Sequence, residues 1–285
     1  MGTPTNRTDS PSAIDPGAAA RLMAPLTELV ARAGSAILAV DRTRMRVEGK
    51  ADGSPVTEAD LAADRIIAEG LARLAPEIPT LSEERVAAAP AGSPPVFFLI
   101  DPLDGTKEFV AGRDEFTVNI ALVANGTPLL GIVGAPALGL IWRGLVGQGT
   151  DRRAERLSTR DGIGAAEPIR TRSFPRAGQP WVAAVSRSHG DAATNAFIDN
   201  RPGAVRQMLG SAVKFARIAE GAADIYPRLG PTSEWDVAAG HALVTAAGGR
   251  VTDPAGGEIH FGGGRPGFII PAFIAWGDPT AACPP

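Results

Sequence analysis

Asp101 and Asp104 stand three residues apart in Leu99-Ile100-Asp101-Pro102-Leu103-Asp104-Gly105-Thr106-Lys107-Glu108-Phe109, directly after the wholly apolar run 96–100. Two carboxylates at the mouth of a strand, with a backbone carbonyl between them, suit a hard cation that takes oxygen ligands. Gly105 permits close backbone approach and Thr106 is placed to start a helix, whose first N–H groups suit a phosphate. A plain strand–turn–helix would explain one Asp as a cap, but not both. Three further acidic spots carry weaker signals. Glu83 and Glu84 follow Ser82 at the end of a short strand-like stretch, Asp236 follows Trp235 at the start of an alanine-rich helix, and Asp60 comes three residues after Thr57. Taken singly, a Glu pair reads as a solvated turn and an Asp in a first helical turn as a complement to the helix dipole.

These residues need rigid supports, and the apolar spacing supplies them. Leu22, Leu26, Leu29, Ala33, Ile37 and Val40 form one helical face. Thr57 is a good N-cap for a second helix with the stripe Ala63, Ile66, Ile67, Leu71 and Leu74, ended by Pro76 and Pro79. The run 96–100 reads as a central strand covered on both faces. Segments 116–124 and 129–135 read as an antiparallel pair around Asn125-Gly126-Thr127-Pro128, and 138–146 continues the meander. From 150 to about 180 the chain is polar, with little periodic signal. Beyond it, strands at 182–186, 204–209 and 223–226 alternate with helices at 192–198, 211–221 and 235–247. Gly248-Gly249 caps the last helix, and a strand starts at 250–252. The expected organisation is an N-terminal disordered arm over 1–17, an α+β domain over 18–172 and an α/β domain over 173–285.

Composition narrows the function classes. Of the 285 residues, 44% are hydrophobic and 21% charged, ordinary for a soluble protein with a real core. The net charge of -3 and pI near 5.7 leave no dominant basic surface, and a single tyrosine offers little to stack bases, so binding of a nucleic-acid polymer is not expected. Cys283 is the only cysteine, which excludes a disulfide framework and favours a reducing compartment. The first 16 residues lack the apolar core of a secretory signal, and no segment is long and apolar enough for an integral membrane span. Only three of the 28 basic residues are lysines, at Lys50, Lys107 and Lys214. In a chain so rich in arginine, they mark places where a compact ammonium is specifically needed, unless their survival is chance.

The acidic segments, taken together, resemble the ordered motif set of the inositol monophosphatase superfamily. The matching stretches are Asp-Gly-Ser-Pro-Val-Thr-Glu-Ala-Asp at 52–60, Leu-Ser-Glu-Glu at 81–84, Asp-Pro-Leu-Asp-Gly-Thr-Lys-Glu-Phe at 101–109 and Trp-Asp-Val-Ala-Ala-Gly-His at 235–241. The resemblance runs from about residue 20 to 275. Lys107-Glu108-Phe109 is similar to the 3'(2'),5'-bisphosphate nucleotidase branch (CysQ type) rather than to inositol monophosphatases, which tend to carry Thr-Asn-Phe there. Ser186-Arg187-Ser188-His189, the 210–215 stretch Gly-Ser-Ala-Val-Lys-Phe and the 226–232 stretch Tyr-Pro-Arg-Leu-Gly-Pro-Thr match the same branch.

The resemblance implies a layered αβαβα sandwich of the inositol monophosphatase/fructose bisphosphatase type, mixing α/β and α+β character. It implies a magnesium-dependent phosphomonoesterase holding two or three Mg2+ ions. Glu83, Asp101, Asp104, Asp236 and the Leu103 carbonyl would be metal ligands, with Glu84 behind Glu83. Thr106, with Asp60, would orient an attacking water, and Glu83 counts with them as catalytic. Gly105 and Thr106 would hold the scissile phosphate through their amides. His189, Gly210, Ser211, Lys214, Arg228 and Asp236 would face the substrate, while His241 is expected to pack or cap. Lys107 is left between Glu108 and the substrate. A physical argument supports the ions: converging carboxylates repel one another and a phosphate until cations neutralise them, and an all-oxygen ligand set favours magnesium over zinc.

The implied substrate is adenosine 3',5'-bisphosphate, cleaved to AMP and phosphate, with 3'-phosphoadenosine 5'-phosphosulfate as a second candidate. The rivals are an inositol, sugar or histidinol phosphate monoesterase, and a nucleotide sensor without turnover. Lithium sensitivity and a role in sulfur metabolism follow from the resemblance. A cytoplasmic location is expected, with attachment to the inner membrane surface left open, as is the choice between monomer and homodimer.

Overall fold

The computed structural model describes residues 14, 16–45, 47–49, 55–88, 94–147, 152–173, 179–188, 190–201, 203–262 and 266–282. The first half contains α1 (Pro16–Leu38), β1 (Val47–Gly49), β2 (Pro55–Thr57), α2 (Glu58–Leu74), β3 (Thr80–Ser82) and β4 (Val96–Asp104). It continues with α3 (Thr106–Val110), β5 (Thr117–Ala124), β6 (Thr127–Ala135), β7 (Leu140–Leu145), β8 (Arg153–Ser158) and β9 (Glu167–Pro168). The second half contains β10 (Val182–Ser186), α4 (Ala192–Asp199), β11 (Val205–Leu209), α5 (Val213–Ala219), β12 (Ile225–Arg228) and β13 (Thr232–Ser233). It ends with α6 (Glu234–Ala247), β14 (Arg250–Thr252), β15 (Ile269–Ile270) and β16 (Phe273–Trp276). The arm expected over 1–17 and the residues Lys50 and Cys283 lie largely or wholly outside the described residues.

Side-chain period decides which face of the main sheet meets which helices. Strands β3 to β9 form a seven-stranded sheet in sequential order, parallel only between β3 and β4. Along β4, Val96, Phe98 and Ile100 point to one face and pack with Leu26, Val30, Ala33 and Ile37 of α1 and Ala63 and Ile67 of α2. Phe97 and Leu99 point to the other and join Val213 and Phe215 of α5 and Ala238, Ala239 and Leu243 of α6. Helix α6 is apolar nearly all round because it lies between two sheets. The second sheet, ordered β11-β10-β12-β16-β14, lays Ala184, Tyr226, Phe273 and Ala275 against that helical layer. Its opposite face, with Ala183, Val185, Ile225 and Ile274, covers Ile198 of α4. The layers are helix, sheet, helix, sheet, helix, as expected of an αβαβα sandwich.

Three local readings change. The turn between β5 and β6 is Asn125-Gly126 alone, both with positive φ (49° and 76°), so β6 starts at Thr127 rather than Leu129. That two-residue loop matches the twist of the flanking strands. The polar stretch after 150 is partly strand: β8 and β9 extend the sheet, with only Ala154 and Leu157 of β8 buried. Such an edge has no apolar alternation to read. The strand expected at 223–226 lies at Ile225–Arg228, which puts Arg228 on a strand. Among the described residues, no helix is long and apolar enough to cross a membrane.

Candidate active site

The strand β4 carries the first two acids and is bent to present them. Asp101 pairs with Asn119 and Asp104 with Thr117, so three steps along β4 oppose two along β5. The irregularity lies between Asp101 and Asp104, where Pro102 has no N–H to give to the ladder. The Leu103 amide donates to Asp101 Oδ1 at 3.0 Å, closing the turn on itself. Gly105 follows with φ of 94° and is the residue before α3. A Cβ there would come within 2.2 Å of Ser211 Oγ, so glycine is needed for space as well as for conformation.

Asp60 and Asp236 occupy the same position in two different helices, the third residue of α2 and of α6. Each reaches back to its cap: Asp60 Oδ2 accepts from the Thr57 amide at 2.8 Å, and Asp236 Oδ2 from the Ser233 amide at 3.3 Å. A carboxylate at this position is stabilised by the free amides of the helix start, so the fold fixes both side chains before any ligand is present. Asp60 also accepts from Thr57 Oγ1 at 2.6 Å and, through Oδ1, from Thr106 Oγ1 at 2.9 Å. Thr232 Oγ1 donates to Asp236 Oδ2. Glu83 and Glu84 open a short 3-10 turn directly after β3.

Glu83, Asp101, Asp104 and Asp236 line one cavity of about 620 Å3 together with Leu103, Gly105, Thr106, Ser211, Lys214 and Arg228. Its lining carries both signs of charge. At the acidic wall, burial and then the charges of Glu83, Asp104, Asp236 and Asp60 hold the Asp101 carboxyl well above the usual range. Burial and Asp236 push Asp104 up to about 6, against Lys214 and the donors Asn119 Nδ2 and Ala212 N. Burial also raises Asp60, against its hydrogen bonds with Thr57 and Thr106. The same cavity holds Lys214, 3% exposed, whose Nζ donates to the Ser211 carbonyl at 2.7 Å and lies 5.2 Å from the Tyr226 ring centre. Burial draws its ammonium down to about 8, although Asp104 pulls the other way. Tyr226 and Asp236 keep Arg228 above its ordinary value against the effect of burial, and Arg228 donates to the Pro231 carbonyl at 3.0 Å.

The donor set fits a hard divalent cation. Among the described residues no three acidic or imidazole groups close into a preformed cage. The acids are instead spread around a shared cavity, and Mg2+ commonly takes one or two carboxylates while water and substrate phosphate complete its shell. Carboxylates this buried and mutually repelling are most simply explained as cation ligands.

Of the sequence-derived site residues, Glu83, Asp101, Leu103, Asp104, Gly105, Thr106, Ser211, Lys214, Arg228 and Asp236 line the cavity. Asp60 reaches it through Thr106, Gly210 packs behind it against Glu115 and Glu108, and His189 lies outside the described residues. Ser211 has φ of 49°, and its hydroxyl is turned to the backbone carbonyls of Asp104 at 2.8 Å and Glu115 at 3.1 Å, tying α5 to the end of β4. His241 is buried inside α6, edge-on to Phe261. Several supports were not read from the sequence. Thr117 Oγ1 and Asn119 Nδ2 both donate to Asp104 Oδ2, at 3.3 and 3.4 Å. Asp64, one turn after Asp60, accepts from Ser82 Oγ at 2.7 Å and pairs with Arg85 at 3.0 Å, gripping both flanks of the Glu83-Glu84 turn. A signal did exist for Asn119, a polar residue set among Val118, Ile120, Ala121, Leu122 and Val123 of β5.

Comparison with known proteins places this geometry among phosphatases. The model of the inositol monophosphatase family matches residues 19–280. The 3'(2'),5'-bisphosphate nucleotidase CysQ of Shigella flexneri is 40% identical over 257 residues, covering 86% of this chain and 96% of that protein. The protein of the same name from Escherichia coli K12 is 39% identical over the same span. Among solved structures, CysQ of Bacteroides thetaiotaomicron matches with a TM-score of 0.70 at 30% identity, over 90% of this chain and 97% of that one. The Thermotoga maritima IMPase gives 0.71 at 27% identity, over 92% and 94%.

Proposed function

The chain belongs to the inositol monophosphatase family, whose members are metal-dependent phosphatases, and from that membership we propose that it hydrolyses the 3'-phosphate of adenosine 3',5'-bisphosphate to AMP and phosphate. Nucleotidase relatives at 39–40% identity over most of the chain support the choice of substrate class. The observation that carries the reading is a cavity lined both by the acids Glu83, Asp101, Asp104 and Asp236 and by the cations Lys214 and Arg228. Its volume suits a mononucleotide, and a substrate with a second anionic group beyond the scissile phosphate would find Lys214 and Arg228 in the same cavity.

Glu83, Asp101, Asp104, Asp236 and the Leu103 carbonyl would hold two or three Mg2+ ions. Bound there, the ions would neutralise the acids and the phosphate and make a water more acidic. The chain's own groups do the rest. Thr106 donates its hydroxyl hydrogen to Asp60, so its lone pairs face away and can accept a hydrogen bond from the attacking water; a proton leaving that water would replace the hydroxyl's own, which passes to the Asp60 carboxylate. The amides of Gly105 and Thr106 would receive the phosphate oxygens, and Lys214 and Arg228 the far anion, with Gly210, Ser211 and His189 shaping that end. Little covalent help is needed, since positioning and charge neutralisation carry most of a phosphoryl transfer. On this reading 3'-phosphoadenosine 5'-phosphosulfate is a second substrate, lithium inhibits by occupying a magnesium position, and the enzyme clears an inhibitory by-product of sulfate assimilation in the cytoplasm. The specificity residues come mainly from the 173–285 half and the metal ligands mainly from the 18–172 half.

The test is phosphate release with magnesium, offering adenosine 3',5'-bisphosphate and inositol 1-phosphate side by side. A strong preference for the nucleotide, lost in Asp104→Asn and suppressed by lithium, is the expected result. Preference for inositol phosphate would keep the metal site and overturn the roles of Lys214 and Arg228. Nucleotide binding without turnover of either compound would make the protein a sensor.

A further inference from the structure

Glu108 is a buried carboxylate, 4% exposed, that the chemistry above does not use. It sits on α3 two residues past Thr106 and borders the cavity. Its Oε1 accepts from Ser188 Oγ, on the exposed turn after β10, and lies 3.8 Å from Arg113 Nη1. Seven residues on, Glu115 holds the base of the same turn: its Oε2 accepts from Arg187 Nη2 at 2.7 Å and from the Gly210 amide at 3.0 Å. Gly210 must be glycine for this packing, since a Cβ would fall 2.3 Å from the Glu115 carbonyl oxygen and 3.3 Å from Glu108 Cγ. The two acids thus grip a turn from the other half of the chain. Arg187 is also held by the Met208 carbonyl at 3.1 Å, whereas Ser188 is held by Glu108.

We propose that Glu108 is a positioning residue for substrate recognition: by holding Ser188 it fixes Arg187-Ser188 at the rim of the cavity, next to the lining residue Ser186, where the nucleotide end of the substrate would lie. The inference rests on the nucleotidase reading for the identity of that substrate. Glu115 keeps the base of the turn in place, so loss of Glu108 frees only the rim. A freed rim weakens binding of a ligand that reaches it and leaves a ligand confined to the phosphate site untouched. A hydrogen bond to a charged group on this scale corresponds to about tenfold in binding.

The experiment compares Glu108→Ala, Glu108→Gln, Ser188→Ala and the double alanine variant on adenosine 3',5'-bisphosphate and on 4-nitrophenyl phosphate, a small monoester. Glu108→Ala and Ser188→Ala should each raise KM for the bisphosphate about tenfold with kcat nearly unchanged, and the double variant should add nothing further. Glu108→Gln keeps an acceptor for Ser188 and should restore most of the loss, and KM for the small monoester should stay at the wild-type value in every variant. An unchanged KM in Ser188→Ala, or an equal fall in kcat on both substrates in Glu108→Gln, would overturn the proposal. Failure of the nucleotidase reading would show separately, as absence of bisphosphate turnover by the wild type. In that case amide hydrogen exchange at 186–188 in the free protein decides: faster exchange in Glu108→Ala supports the grip, and unchanged exchange overturns it.

Discussion

Thr106 Oγ1 lies 2.9 Å from Asp60 Oδ1, although 46 residues separate them in the chain. The same hydroxyl is 3.2 Å from the Leu103 carbonyl, so two acceptors face its single proton. Asp60 is itself immobilised by the cap of α2, with Thr57 donating twice to its other oxygen. A helix start in one part of the sequence therefore decides which way a hydroxyl points in another. The direction is useful because a hydroxyl that must donate to a carboxylate has only lone pairs left for a water.

Removing that hydroxyl should cost turnover and little stability. Thr106→Ala is expected to lower kcat on the bisphosphate by about 10²–10⁴, the usual range for a positioned proton acceptor, with the melting temperature close to wild type. Thr106→Ser keeps the donor and should retain most of the rate. Steady-state phosphate release alongside thermal unfolding checks both. A Thr106→Ala enzyme within a few-fold of wild type would remove Thr106 from the chemistry.

The acidic wall should destabilise the protein when no cation is bound. Asp101 and Asp104 are raised in the folded chain, so their contribution to stability is present below the unfolded carboxylate pKa and is lost as pH rises through the folded value, about 6 for Asp104. In EDTA, the melting temperature should rise in Asp101→Asn relative to wild type at pH 7.5, by about 3 °C or more, while activity disappears. Magnesium should raise the wild-type melting temperature more at pH 7.5 than at pH 5. Calorimetry at both pH values checks this, and a lower melting temperature in Asp101→Asn with EDTA would contradict it.

Gly105 gives a steric prediction. Its φ of 94° and the 2.2 Å approach of a Cβ to Ser211 Oγ mean that Gly105→Ala must displace the Ser211 hydroxyl from the Asp104 carbonyl. The expected cost is about 1–3 kcal/mol in unfolding free energy, with a fall in kcat because the end of β4 shifts. Adding Ser211→Ala should recover part of the stability, since the clashing atom is gone. Urea titrations of the three proteins measure it.

The acids and their supporting elements were legible because residue type and spacing carry both kinds of information. Asp101 and Asp104 follow an apolar strand, Asp60 follows a capping threonine, and the helices repeat at three and four residues. What could not be read lies in pairings between distant segments. Asn119 reaches Asp104 only because β4 and β5 pair in a particular register, and Gly210 meets Glu115 across 95 residues. Asp64 looks like any helix acid until the fold sets Ser82 and Arg85 beside it. Strands β8 and β9 were hidden for another reason: at the sheet edge, Arg156 and Glu167 pair across the strands in solvent, and an exposed ion pair leaves no hydrophobic period.

His241 should make the protein acid-sensitive. Burial in α6 against Phe261 draws its imidazole down to about 4, and its Nδ1 has no hydrogen-bond partner among the described residues. A depressed histidine pKa means the unfolded chain binds the extra proton first, so stability falls as pH drops from about 6.5 toward 4. Between pH 7 and 5 the loss is about 2 kcal/mol from this residue. In His241→Leu that part of the pH dependence should vanish, and the variant should match or exceed wild type at pH 7 because no buried nitrogen is left unsatisfied. Urea midpoints of both proteins at pH 7 and pH 5 provide the measurement. Equal pH dependence in the two would show that the imidazole is protonated in the folded protein, which the apolar surroundings of α6 argue against.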